Sequence, residues 1–138
     1  MSYCGENVSR ETFSPPLNGG NMAKVISFTN KKGGVGKTTT VVNMAAYCAD
    51  FGKRMLLIDL DSQGNATTGL GFSKSALKKS VYNVLIDDEK ISANILPTQL
   101  PLLDILPANV DLTGAEVDLV YKRNRDRILK TALEEVKD

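Results

Sequence analysis

Histidine and tryptophan do not occur in this 138-residue sequence, and cysteine occurs only at Cys4 and Cys48. Two widely spaced thiols without an imidazole give neither a disulfide framework nor a metal-ligand spacing. Cys48 stands among Ala45, Ala46 and Ala49, where a small buried thiol is the expected reading. Charge of one sign is lacking too. Seventeen Lys and Arg against sixteen Asp and Glu leave a formal +1, so no global field draws the chain onto nucleic acid or an anionic membrane. Such binding would need a local patch. No apolar run approaches a membrane span of roughly 20 residues, and the first residues lack the apolar stretch of a secretory signal. The cytoplasm is therefore the default location, with no membrane partner. What is present is ordinary globular composition, 42% hydrophobic and 24% charged with 11 Gly and 5 Pro. A chain of this length has room for one domain with its own core.

Residues 1–21 differ from the rest. They hold Asn7, Ser9, Ser14, Pro15, Pro16, Asn18, Gly19 and Gly20, with little to bury and no periodicity. A functional arm and a flexible leader are both compatible with that composition. The leader is favoured, because Met22 is followed at once by a strand-like segment. The division is thus a leader over 1–21 and an ordered region over 22–138.

From Met22 onward strand-like and helix-like segments alternate. Lys24–Thr29 (Lys-Val-Ile-Ser-Phe-Thr) predicts a strand that enters a glycine-rich loop. Thr38–Asp50 is apolar nearly all round and alanine-rich, which predicts a buried helix, with Gly52 suited to the left-handed position after it. Arg54–Leu60 contains Met55-Leu-Leu-Ile58 and ends in acids, as a buried parallel strand does. Ser80 is placed to open a short helix to Ile86, and Leu102–Leu106 reads as a further strand between Pro101 and Pro107. Thr113-Gly-Ala-Glu116 has the spacing of a capping box opening a helix toward Tyr121. A last helix from about Asn124 carries Leu129, Ala132, Leu133 and Val136 on one face. The class that follows is α/β, with a parallel sheet flanked by helices.

The chemistry lies between the first strand and the first helix. Asn30-Lys-Lys-Gly-Gly-Val-Gly-Lys-Thr-Thr-Thr40 sets three glycines, a lysine and threonines on a strand–loop–helix. A polyphosphate requires several backbone N–H groups turned inward at close range, and glycine permits those angles without an obstructing Cβ. The helix that follows offers free N–H groups and the positive end of its dipole. Lys37 can reach the outer phosphates, and the Thr38 hydroxyl can ligate Mg²⁺. The strict pattern G-x-x-x-x-G-K-[ST] is not met, since Lys31 occupies the first glycine position. The variant Lys-Gly-Gly-x-x-Lys-Thr is met, from Lys32 to Thr38. A plain flexible turn would not be followed by Lys37-Thr-Thr running into a helix.

Lys32-Gly-Gly-Val-Gly-Lys-Thr-Thr39 resembles the deviant Walker A loop of the ParA/MinD group. Leu56-Leu-Ile-Asp-Leu-Asp-Ser-Gln-Gly-Asn-Ala-Thr67 resembles the segment that follows it in ParA and Soj proteins, and its Gln63-Gly-Asn-Ala-Thr67 tail is more typical of these than of MinD or nitrogenase iron proteins. The likeness continues through Pro107-Ala-Asn109 and Gly114-Ala-Glu116, so it covers roughly Met22 to the end.

The resemblance implies a P-loop NTPase-like sheet and an ATP and Mg²⁺ site formed by Lys32, Gly33, Gly34, Val35, Gly36, Lys37, Thr38 and Thr39. Lys37 matches the phosphate-binding lysine and Thr38 a magnesium ligand. Asp59 would stand near the magnesium shell, and Asp61 matches the acid that positions or activates the attacking water. Lys32 matches the signature lysine that reaches a partner's nucleotide in related dimers, a cation supplied in trans as an arginine finger is. Taken alone, Lys32 would read as a solvated lysine, and the two aspartates as the polar end of a strand. Ser62 replaces the proline usual in the family, and a serine keeps the turn possible.

The implied function is that of an ATP-dependent homodimer that binds DNA non-specifically and is stimulated to hydrolyse ATP by a ParB-like centromere-binding partner, segregating a plasmid or a chromosome. The chain is expected to be the N-terminal part of such a protein. A strand bearing the Walker B aspartate, the adenine contacts, most of the dimer surface and the DNA-binding residues are expected beyond Asp138. Three strands of a larger sheet would then leave an unpaired apolar edge. The basic run Lys122, Arg123, Arg125, Arg127 and Lys130 could touch phosphates, but without interleaved aromatics a solvated helix face is expected. Two alternatives stay open: a nucleotide- or partner-binding fragment without turnover, and a MinD-like membrane-cycling ATPase, which needs a C-terminal amphipathic helix. An electron-transferring iron protein would need cluster-ligating cysteines, and Cys48 is in the wrong place for one.

Overall fold

A computed structural model describes residues 23–136, so the leader proposed for 1–21 lies outside the described residues. The first regular element is helix α1, Lys37–Asp50. Strand β1 (Met55–Ile58) and the short helices α2 (Asn65–Gly69), α3 (Val81–Leu85) and α4 (Ile91–Asn94) follow. Next come β2 (Leu96–Pro97), β3 (Leu103–Leu106), a 3₁₀ turn (Val110–Gly114), α5 (Ala115–Val120), α6 (Ile128–Leu133) and a closing 3₁₀ turn (Glu134–Val136).

β3 is the middle strand of the order β1-β3-β2. It pairs parallel with β1, Met55 opposite Leu103 and Ile58 opposite Leu106. That pair is the parallel core the sequence predicts. The two-residue β2 adds to the other edge in the antiparallel sense, so the sheet is mixed.

Alternation along the strands divides the core in two. Leu57, Leu103 and Ile105 join Ala45 and Ala49 of α1 and Ala66 of α2. Leu106 joins Val81, Val84, Leu85, Ile91, Leu112 and Ala115, and Leu56 and Ile58 pack against this second cluster. Leu103, Ile105 and Leu106 have no more than 1% of their surface exposed. At roughly 1.5–3 kcal/mol for each fully buried aliphatic side chain, β3 is the strand on which both layers depend. Leu129, Ala132, Leu133 and Val136 pack on the second cluster, as the predicted face of the last helix requires.

Helix ends follow the sequence in two places. Gly52 adopts φ 78°, and its N–H donates to the Ala49 carbonyl at 2.9 Å while Lys53 N–H reaches Cys48 at 3.0 Å. These bonds satisfy carbonyls that the end of α1 would otherwise leave open. Ser80 caps α3: its Oγ accepts from Tyr82 N–H at 3.2 Å, and its own N–H donates to Asn83 Oδ1 at 3.1 Å.

Four expectations are corrected. Lys24–Thr29 carries no regular secondary structure, and Val25 and Ile26 are exposed by 66% and 63%. An apolar β-rich run becomes a strand only when a ladder partner takes its N–H and C=O groups, and among the described residues nothing pairs with it. α1 is buried along one face rather than all round, with Tyr47 69% exposed, because one sheet layer covers one face only. Cys48 is accordingly half-buried, a free thiol beside the packed face. Thr113 caps nothing: the chain is already turning in the 3₁₀ segment that runs into α5, whose first position follows Gly114 with no side-chain cap.

Candidate functional site

The connection from α1 through Gly52 to β1 reverses the chain, and α1 packs on β1 and on α2. The N-terminus of α1 therefore lies at the same edge of the sheet as the carboxyl ends of β1 and β3. This is the edge where open α/β sheets place ligands.

The loop 31–36 closes onto α1 through two left-handed glycines, Gly34 at φ 71° and Gly36 at φ 86°. A side chain in that region is strained, so these two positions call for glycine. A Cβ built at Gly33, Gly34 or Gly36 would meet no atom within 4 Å. Open space, not close packing, faces these backbone atoms. Gly36 is the N-cap of α1 and supplies no side-chain acceptor, so the first N–H groups of the helix are left for solvent or an anion.

Lys32 is exposed, and its N–H is held by Asn30 Oδ1 at 2.9 Å. The Lys37 ammonium donates to the Lys32 carbonyl at 3.2 Å, which lays the side chain back across its own loop. Val35 is 46% exposed, Thr38 half-buried and Thr39 exposed.

The acidic end of β1 is built differently. Asp59 is only 5% exposed. Its Oδ2 accepts from the Thr67 N–H at 2.9 Å and from the Thr67 hydroxyl at 2.7 Å. Its Oδ1 accepts a single longer bond, from the Asp61 N–H at 3.2 Å. Asp61 is exposed, and its Oδ1 accepts from Gln63 N–H at 2.9 Å. The turn is sealed by Gly64, whose N–H donates to the Asp61 carbonyl at 2.8 Å. Gly64 has φ 62°, and a Cβ there would lie 3.2 Å from Lys74 Cδ and 3.7 Å from the Ala108 carbonyl oxygen. Lys74 in turn donates to the Gln63 carbonyl at 2.7 Å.

The donor set fits a magnesium–polyphosphate group. The loop offers N–H groups over open space, Lys37 a cation and Thr38 a hydroxyl, while Asp59 Oδ1, which accepts one bond, keeps a lone pair for a metal-bound water. No cluster of three or more His, Cys, Asp or Glu side chains stands ready as a metal cage among the described residues. Hard Mg²⁺, which keeps several waters and takes one or two protein oxygens beside phosphate, needs no such cage.

Comparison with known proteins bears on this geometry. A family model described as an AAA domain matches residues 23–138. The sporulation initiation inhibitor protein Soj of Bacillus subtilis is 51% identical over 116 residues, which cover 84% of this chain and 46% of Soj. The chain belongs to this AAA-domain family and is of the ParA/Soj type. The chromosome partitioning protein ParA of Myxococcus xanthus is 46% identical over 112 residues, 81% of this chain and 40% of that protein. The chain thus spans just under half the length of the curated relatives it matches. Among solved structures, cobyrinic acid a,c-diamide synthase from Mycobacterium smegmatis with bound ATP analog and magnesium superposes with a TM-score of 0.75. It is 44% identical, over 78% of this chain and 44% of that one. A P-loop α/β fold of the ParA/MinD kind, here a partial domain, agrees with the class expected from the sequence.

In this ParA/Soj-type chain, Thr67 and Ala108 lie within the recognisable motifs, but nothing in the sequence marks a role for either. The signal available was the short polar run Asn65-Ala-Thr67 directly after the acidic turn, too short to show helical periodicity. Of the basic run, Lys122 is engaged by Asp88 at 2.6 Å, whereas Arg123, Arg125, Arg127 and Lys130 stand exposed.

Proposed function

We propose that residues 32–39 bind MgATP and that the chain forms the nucleotide-binding part of a partitioning ATPase acting in the cytoplasm. The observation that carries this reading is the pair of left-handed glycines, Gly34 and Gly36, opening onto the uncapped start of α1 at the edge that holds Asp59 and Asp61. Four roles follow from chemistry and position. Gly33, Gly34, Val35 and Gly36 give backbone N–H groups to phosphate oxygens, with Thr39 at the helix start. Lys37 swings from the Lys32 carbonyl to the outer phosphates. Thr38 would hold the metal through its hydroxyl, and Asp59 would stand in the outer shell. Bound Mg²⁺ supplies charge neutralisation on the phosphate oxygens.

Asp61, exposed at the same edge, is placed to orient an attacking water. Lys32, exposed at the loop's start, is the cation a second copy would receive in an ATP-dependent homodimer. Non-specific DNA binding and stimulation by a ParB-like partner complete the cycle in the whole protein. The names and sequences of the Soj and ParA relatives support that assignment. Among the described residues no helix is long and apolar enough to cross a membrane.

The test is titration calorimetry of MgATP into this chain, with circular dichroism on the same sample. Saturable binding at one site is expected. A folded chain that takes up no heat would overturn the assignment of the loop.

A further inference from the structure

Thr67 is completely buried, yet its polar atoms are engaged in a single direction-setting chain. Its N–H and hydroxyl both donate to Asp59 Oδ2, at 2.9 and 2.7 Å. Its Oγ1 also accepts the Ala108 N–H at 3.0 Å. The other Asp59 oxygen accepts from Asp61 N–H at 3.2 Å, and the Asp59 N–H donates to the Leu106 carbonyl at 3.0 Å. The bonds run from the end of β3 through Thr67 to Asp59 and on to the acidic turn.

Burying a carboxylate is unfavourable unless donors compensate it. Thr67 supplies two donors to one oxygen, which fixes the rotation of the carboxylate and leaves Oδ1 as the oxygen with a spare lone pair. A residue needed only to fill space would be served as well by valine, which has the same shape without the hydroxyl. The hydroxyl here works in both directions at once, an arrangement in which each bond polarises the next.

We propose that Thr67 is a positioning residue for magnesium: it orients the Asp59 carboxylate and ties that orientation to β3 through Ala108. The proposal rests on the reading of 32–39 as the MgATP loop. Outer partners of metal-binding groups act in this way, and their removal lowers metal affinity by about 10–100-fold.

The test measures ATP affinity of the whole chain with Mg²⁺ and with EDTA, in the wild type, Thr67→Ser and Thr67→Val. In the wild type Mg²⁺ should tighten ATP binding. Thr67→Val should lose about tenfold of that gain or more while its affinity in EDTA stays at the wild-type value. Thr67→Ser, which keeps the hydroxyl, should restore the gain. Equal weakening with and without Mg²⁺, or a folded serine variant that restores nothing, would overturn the role of Thr67 while leaving the loop assignment intact. A wild type that binds no ATP in either condition overturns the loop assignment, and the positioning role with it. If Thr67→Val does not fold, amide exchange of the wild type decides. The Thr67 and Ala108 amides should exchange more slowly with MgATP than with ATP in EDTA, and identical protection in the two would overturn the proposal.

Discussion

The Lys37 ammonium donates to the Lys32 carbonyl at 3.2 Å, five residues back in the chain. These two lysines are thereby divided in function. Lys32 contributes its backbone to holding the loop, and its side chain remains exposed. Lys37 spans the loop with a neutral carbonyl as its acceptor, a weaker partner than a phosphate oxygen.

Lys37→Ala should therefore leave folding nearly unchanged and weaken MgATP binding. The loss of hydrogen bonds to a charged group is worth about 1.5–3 kcal/mol, roughly a ten- to hundredfold rise in Kd. Calorimetry on the variant beside the wild type measures it. An unchanged affinity would remove Lys37 from the phosphate site.

How far the sequence spoke depended on whether a signal was local. α1 was legible from its alanine-rich run and from Gly52, and α3 from Ser80, because caps and left-handed turns are written within a few residues. β1 was legible because a strand covered on both faces reads as a continuous apolar run, and β3 because its apolar run is broken only by the exposed Asp104. Lys24–Thr29 is also a β-rich run, yet a strand forms only where a ladder partner takes its backbone groups. β2 was not visible at all: Leu96-Pro97 is two residues long, and Pro97 has no N–H to give a ladder. At the site, the loop glycines announced themselves by spacing. The bond from Thr67 to Ala108 crosses 41 residues, and a contact of that range leaves no periodicity to read.

Asp61 and Asp59 belong to one turn but differ in exposure, and they should differ on mutation. Asp61 is exposed, and its carboxylate accepts the 2.9 Å bond from Gln63 N–H. Removing it costs the chain about 0.5–1.5 kcal/mol at most, the net worth of a single hydrogen bond. Asp61→Ala should accordingly keep MgATP affinity within about threefold, a change below 1 kcal/mol. In a full-length protein carrying this segment the same substitution should abolish hydrolysis. Phosphate-release assays on that protein, beside the binding titration, make the comparison. Preserved turnover would remove Asp61 from the role of water-positioning acid.

The second core cluster holds a pH-dependent tie of its own. Tyr82, on α3, donates its hydroxyl to Asp118 Oδ2 of α5 at 3.0 Å, across 36 residues of sequence. The bond to Asp118 comes first among the causes that raise the phenol above its ordinary value of 10.0, with burial and the neighbouring carboxylate charges adding to it. The folded state thus holds the Tyr82 proton more tightly than the unfolded chain does. The stability from this tie is fully present below pH about 10 and is lost as pH rises from there through the raised folded value. Tyr82→Phe has neither the bond nor the titration. Urea unfolding of wild type and Tyr82→Phe at neutral pH, at pH about 9 and above pH about 10.5 isolates the effect, since every other side chain is common to the two proteins. The wild type should be the more stable at the two lower values by a constant margin, and the margin should shrink at the highest. A margin that stays constant or grows there would mean that the phenol is not held by Asp118 in solution.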